Sequence, residues 1–108
     1  MNTKKYLLFA LLFAGLTFTT SCEKELTDCE KTTYNTQVKK ILDTNCNTSG
    51  CHDGTNDRMP LNTFAESSTL KDGILERAVT LKNMPPSGAL SDADMATISC
   101  WVDNGAKE

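Results

Sequence analysis

The stretch Cys46-Asn47-Thr48-Ser49-Gly50-Cys51-His52 decides how this chain folds. It holds two of the five cysteines and the only histidine of 108 residues, of which 39% are hydrophobic. Thiols and imidazoles bind metals, and thiols also form covalent bonds. The stretch therefore predicts a cross-link or a bound group at the centre of a small domain.

Three chemical arrangements account for these residues. In the first, the thiols of Cys46 and Cys51 add to the two vinyl groups of a haem and His52 binds the iron. This would be a C-x4-C-H form of the usual C-x-x-C-H pattern, and Gly50 eases the longer turn. In the second, the same three residues and Cys100 bind zinc, although neighbouring ligands such as Cys51 and His52 are unusual in zinc sites. In the third, Cys46 and Cys51 form a disulfide and the histidine is a bystander.

The N-terminal residues predict export from the cytoplasm. Lys4 and Lys5 precede an apolar run, residues 6–18, and small polar residues follow it, which is the order of a signal peptide. The run is shorter than the roughly 20 residues of a membrane span, so an uncleaved anchor helix is the less favoured alternative. We expect residues 1–21 to be a signal peptide and the protein to lie in the cell envelope, in the periplasm or on the outer surface.

Cys22 follows the predicted signal peptide directly. A cysteine at this junction resembles the acylated first residue of bacterial lipoproteins, and the alternative is a secreted protein whose Cys22 forms a disulfide. Residues 22–33 are rich in charge and predict a tether, and residues 34–108 predict one domain. Without residues 1–21 the chain has 9 basic and 14 acidic residues, so its net charge is −5, which argues against binding to nucleic acid. Its hydrophobic fraction falls to 34%, which predicts a thin core.

The domain is predicted to be all-α. Helical spacing of apolar residues marks two segments, 33–45 and the residues after Ser91, and their predicted core positions are Tyr34, Val38, Ile41, Leu42, Met95, Ile98, Trp101 and Val102. Ser91 is the predicted N-cap of the last helix, and Asn104-Gly105 its end. A weaker helix is expected within residues 68–79. No segment shows the period-two alternation of a strand.

A methionine on a proline-rich loop supplies a second candidate ligand. Pro85 disfavours the α conformation at Met84, and with the next proline it stiffens a loop that can present the thioether sulfur to an iron. Met59 stands only seven residues after His52, too close for the chain to pass around a haem edge. Met95 lies on the core stripe of the last helix. Met84 is therefore the predicted sixth ligand.

This order of features resembles the small class I monohaem cytochromes c, and more narrowly the short cytochrome c-like lipoproteins of Bacteroidetes-type envelopes. The resemblance covers about residues 34–107. It implies a helical domain wrapped around one covalent haem c, with Cys46 and Cys51 as attachment points and His52 and Met84 as axial ligands. It also implies that the carbonyl of Pro60 accepts a hydrogen bond from Nδ1–H of the histidine.

The resemblance further implies how the other cysteines are used. With Cys22 acylated and Cys46 and Cys51 bound to haem, Cys29 and Cys100 remain. One precedes the first helix and the other lies in the last, and these helices pack together in the family, which implies a Cys29–Cys100 disulfide. Arg58 is expected to be a solvated surface charge, with a haem propionate as its alternative partner.

The predicted function is single-electron transfer without substrate chemistry. Both axial positions are filled and the chain has no second histidine to act as an acid or base, so we expect no enzyme, and peroxidase-like activity is the weaker alternative. The expected partners are redox proteins of the envelope, and the membrane through the lipid anchor, for a protein that is itself a monomer. The rival hypothesis is a structural or binding lipoprotein without haem, stapled by disulfides or holding zinc.

Overall fold

The computed structural model describes residues 28–108, so the predicted signal peptide, Cys22 and the first part of the tether lie outside the described residues. Residues 28–108 form helices and loops without a β-strand, which confirms the all-α class for this part of the chain. None of their helices is long and apolar enough to cross a bilayer. The elements are a π-helical turn Tyr34–Val38, helix α1 Lys39–Asn45, α2 Phe64–Thr69, α3 Lys71–Ile74, a π-helical segment Leu75–Thr80, and α4 Asp92–Asp103.

Hydrogen bonds define both ends of the first helical segment. Thr33 caps it reciprocally: the Thr33 hydroxyl accepts from the Thr36 amide at 3.3 Å, and the Thr36 hydroxyl accepts from the Thr33 amide at 3.2 Å. At the other end, the amide of Cys46 donates to the carbonyl of Leu42 at 2.8 Å. Cys46 is thus held by the last turn of α1.

Two helices in the second half of the chain, α2 and α4, begin at side-chain caps. The Thr63 hydroxyl accepts from the Glu66 amide at 3.3 Å, and Glu66 Oε2 accepts from the Thr63 amide at 2.9 Å, so α2 begins at Phe64. The helix expected within residues 68–79 is confirmed by α3 and the π-helical segment Leu75–Thr80, whereas most of α2 precedes that range and was not predicted. The predicted cap of α4 is confirmed, since the Ser91 hydroxyl accepts from the Asp94 amide at 3.1 Å.

The core lies where the first helical turn, the middle helices and α4 meet. Seven of the eight predicted core positions are buried, and Val102 is partly buried against them. The tilted rings of Tyr34 and Trp101 have centroids 6.3 Å apart. The buried hydrophobic residues are Tyr34, Val38, Ile41, Leu42, Leu61, Ile74, Ala78, Leu90, Met95, Ile98, Trp101 and Ala106.

The two ends of the described chain meet at one pole of the domain. Cys29 and Cys100 form a disulfide with an S–S distance of 2.01 Å, which is the pairing that the resemblance implied. The amide group of the Asn104 side chain donates to the carbonyl of Cys29. The carbonyl of Lys107 accepts from the Tyr34 amide at 2.8 Å and from Nε1 of the Trp101 indole at 2.9 Å. Covalent and hydrogen bonds therefore join the start of the first helix to the end of the last.

Candidate functional site

A cavity of about 520 Å³ lies between the Cys46–His52 loop and the helices that follow it. This volume falls within the roughly 300–1,000 Å³ of small-molecule and cofactor sites. Apolar side chains form most of its wall, and a few charged ones stand among them. The lining residues are Cys46, His52, Asp57, Arg58, Met59, Leu61, Leu70, Gly73, Ile74, Arg77, Ala78 and Met84. The fold thus brings three of the predicted site residues, Cys46, His52 and Met84, to one cavity, whereas Cys51 is not among its lining residues.

The imidazole of His52 is oriented by the backbone. Its Nδ1 lies 2.6 Å from the carbonyl oxygen of Met59, and a carbonyl oxygen only accepts hydrogen bonds. Nδ1 must therefore carry a proton, and in the neutral form of the ring the lone pair of Nε2 is free for a metal ion. Metal-binding histidines commonly make a bond of this kind through their other ring nitrogen.

The predicted acceptor for this bond, the carbonyl of Pro60, is wrong by one residue. The amide of Leu61 donates to the carbonyl of His52 at 3.0 Å. In a trans peptide the C=O and N–H groups point in opposite directions, so the Pro60 carbonyl, which shares its peptide group with the Leu61 amide, points away from His52. The carbonyl of Met59, one peptide earlier, occupies the position that was predicted for Pro60.

The loop between the two cysteines closes on itself through backbone hydrogen bonds. The amide of His52 donates to the carbonyl of Cys46, and the amide of Cys51 donates to the carbonyl of Thr48, both at 3.0 Å. Gly50 has a φ of +77°, a left-handed conformation that glycine adopts without strain. Its predicted role in the longer turn is confirmed. The four-residue spacing thus forms a defined turn that brings His52 back to the end of α1.

A second set of hydrogen bonds, which was not predicted from the sequence, holds this loop from outside. Four consecutive carbonyls each accept from the segment 56–62, which we call the clamp segment. Its donors and their acceptors are Arg58 Nη1 to Gly50 at 2.6 Å, Asn56 Nδ2 to Cys51 at 3.1 Å, the Leu61 amide to His52 at 3.0 Å, and Asn62 Nδ2 to Asp53 at 3.0 Å. Arg58 is exposed, as expected, but its guanidinium group bonds to the loop. The available signal was the cluster of short amide and carboxylate side chains after His52, which favours side-chain bonds to nearby backbone.

Both thiols of the loop are free and half-buried. Burial raises the pKa of the Cys46 thiol to about 11, and the nearby charge of Cys51 acts in the same direction. Cys46 is therefore a neutral thiol at pH 7. The zinc set predicted from the sequence loses one member, because Cys100 is bonded to Cys29. Within residues 28–108 no three or more His, Cys, Asp or Glu side chains are grouped to hold a metal ion.

The three methionines of the domain differ in their surroundings. Met84 is half-buried in the cavity wall, and its amide and that of Asn83 donate to the carbonyl of Arg77 at 3.2 and 3.0 Å. Met59 also lines the cavity, but it is 60% exposed. Met95 is buried in the core and does not line the cavity, as its place on the helical stripe predicted.

Gly73 is a helical glycine whose side-chain position is open. It lines the cavity, and a Cβ atom built on it would meet no heavy atom within 4 Å. Glycine within a helix is less stable than alanine by about 1 kcal/mol. Contacts within the protein therefore do not explain the glycine at this position. A group bound close to the helix backbone would explain it, because a side chain here would occupy the same space.

Comparison with protein-family models, with curated proteins and with solved structures finds no match to this chain.

Proposed function

We propose that this protein is an electron carrier of the cell envelope that holds one covalent haem c. Cys46 and Cys51 would form the two thioether bonds, and His52 and Met84 would bind the iron from opposite sides. The haem would supply an iron that alternates between the ferrous and ferric states. The observation that carries the proposal is that Cys46, His52 and Met84 all line the same largely apolar cavity.

The donor set and the cavity wall fit this group. Haem c needs two free thiols, a neutral imidazole and, for an electron carrier, often a thioether sulfur. The chain offers free Cys46 and Cys51, a His52 ring whose Nδ1 is bonded to a carbonyl so that Nε2 can act as the ligand, and a methionine on the cavity wall. The open position at Gly73 leaves room for a flat group against α3.

Several residues of the chain would set the properties of the bound group. The carbonyl of Met59 fixes the ring of His52 and raises its basicity as a ligand. A thioether ligand such as Met84 favours the ferrous form and raises the potential. The apolar side chains of the cavity wall would keep water from the part of the group that they cover. Filled axial positions leave no open site for a substrate, so the proposal is a carrier and not an enzyme.

Export, acylation of Cys22 and attachment to the membrane belong to the same proposal and rest on the sequence. The expected partners are redox proteins of the envelope, and a net charge of −5 without residues 1–21 suits a partner with a basic face, mainly through a faster encounter.

The deciding experiment is the absorption spectrum of the full chain produced in a host that matures c-type cytochromes. We expect a red protein with a sharp α band on reduction and haem that stays bound after denaturation. Colourless protein would contradict the proposal, and it would favour the rival hypothesis of a lipoprotein without haem.

The ligands are tested by substitution of the two methionines that line the cavity. Met84→Ala should keep the covalent haem but lose the weak long-wavelength band of ferric iron bound to a thioether, whereas Met59→Ala, the matched control, should keep the band. The opposite result would make Met59 the ligand. His52→Ala should prevent accumulation of stable haem protein.

A further inference from the structure

The two loop cysteines are held in different ways. Cys46 ends α1, and its amide donates to the carbonyl of Leu42 within that helix. Cys51 lies in a turn without regular structure, and the carbonyls on both sides of its Cα accept from the clamp segment. The position of Cys46 therefore follows from the helix, whereas that of Cys51 depends on the clamp segment.

We propose that Arg58 and Asn56 are positioning residues that hold Cys51 for the second thioether bond. This inference rests on the proposed covalent haem. Arg58 fixes the carbonyl of Gly50 and Asn56 fixes that of Cys51, so together they set both peptide groups that adjoin the Cys51 Cα. Four residues separate the cysteines, two more than in the usual C-x-x-C-H pattern. A longer loop has more conformations, so fixing both cysteines at the haem costs more conformational entropy.

The side chain of Asn56 links the two positioning residues. Its Nδ2 donates to the carbonyl of Cys51 at 3.1 Å, and its Oδ1 accepts from the Arg58 amide at 2.8 Å. The guanidinium group of Arg58 then reaches the carbonyl of Gly50 with a charge-assisted bond of 2.6 Å. Both contacts are on the surface, outside the buried core.

The bond-forming step is an addition and needs no further reactant. The Cys51 sulfur bonds to the inner carbon of a vinyl group, the thiol proton is transferred to the outer carbon, and the C=C double bond becomes single. No leaving group is released, and the addition needs no external oxidant or reductant. The rate and yield of the second thioether bond then depend on the fraction of time that the Cys51 sulfur lies close to the vinyl carbon. Holding two reacting groups in the right orientation accelerates a reaction between them.

The test compares Arg58→Met and Asn56→Asp with the wild-type full chain in the same maturing host. Asn56→Asp keeps the oxygen that accepts from the Arg58 amide and replaces the donor to Cys51 with a second oxygen. The control is Lys40→Met, which also replaces a basic side chain with methionine; Lys40 is exposed on α1 and is not among the residues that line the cavity.

Alkylation of the denatured haem protein followed by mass measurement counts the free thiols, and peptide mapping identifies them. We expect each variant to lower the ratio of doubly to singly attached chains by about tenfold, which corresponds to about 1.4 kcal/mol, with Cys51 as the free thiol. The α band should move to longer wavelength, since one vinyl group stays conjugated. The control should keep the wild-type ratio.

Three results would overturn the inference. The first is an unchanged ratio with a lower yield of haem protein, which a merely structural role predicts. The second is a free Cys46 in place of Cys51, and the third is the same change of ratio in Lys40→Met. If Arg58→Met does not accumulate, Asn56→Asp decides alone. A wild-type chain without covalent haem would instead contradict the proposed function, so the two failures are distinguishable.

Discussion

Removal of the Cys29–Cys100 disulfide tests the fold independently of the bound group. The two cysteines are 71 residues apart, so their bond closes most of the domain into one loop. In the chain-entropy model, a loop of this length lowers the entropy of the unfolded chain by about 15 cal/mol/K, or about 4.4 kcal/mol at 25 °C. We expect the Cys29→Ser/Cys100→Ser variant to be less stable by this amount.

The expected change in melting temperature follows from the size of the domain. For the 81 described residues the unfolding entropy is about 170 cal/mol/K, so the loss lowers Tm by about 26 °C. Thermal and urea unfolding are followed by far-UV circular dichroism. The urea m-value should rise, because an unfolded chain without the cross-link exposes more surface.

The control for this experiment is Ser99→Ala, next to Cys100 on α4, which removes only a hydrogen bond to the carbonyl of Met95 within the helix. Its Tm should change by a few degrees at most. A similarly small change in the double variant, with an unchanged m-value, would refute the loop-entropy reasoning.

Three further predictions concern the core and the cavity. Trp101→Ala should lower the free energy of unfolding by about 3–5 kcal/mol in urea titrations, because the side chain is fully buried and its indole bonds to a carbonyl; the exposed Leu81→Ala is the comparison and should change it little. Gly73→Leu should preserve helical circular dichroism but lower the yield of haem protein, and an unaffected yield would show that no group lies against α3. In the haem-free chain, the alkylation rate of Cys46 should rise with pH to a midpoint near its pKa of about 11, and a midpoint near 9.0 would show that the thiol is not buried. Because this pKa lies above that of the unfolded chain, the folded haem-free state should lose stability as pH rises from about 9 to 11.

Helix termini were predictable where a side chain marks them. Ser91 caps α4 as expected, and the Thr63–Glu66 capping box would have placed the start of α2 correctly, since a threonine three residues before a glutamate is a recognisable signal. Burial of Val38 and Trp101 followed from helical spacing alone. These features are local, so a short window of sequence contains their cause.

The hydrogen bonds around the site were not predictable in the same way. Whether Met59 or Pro60 faces His52 depends on the direction of one peptide plane, which the sequence does not specify. The bond from Arg58 to Gly50 depends on how the segment after His52 turns back on the loop. Such contacts arise from the path of the chain in space, and a charged residue within a polar run gives no sign of them.

The pole at which the chain ends meet determines how the domain bears a mechanical load. If the residues before Cys29 form the proposed tether, a pull on them is transmitted through the disulfide to Cys100 in α4, without passing along the first helix. The bonds from Tyr34 and Trp101 to the carbonyl of Lys107 brace the same point. The residues that form the cavity lie between Cys46 and Met84, inside the loop that the disulfide closes, so a force carried by the disulfide bypasses the cavity.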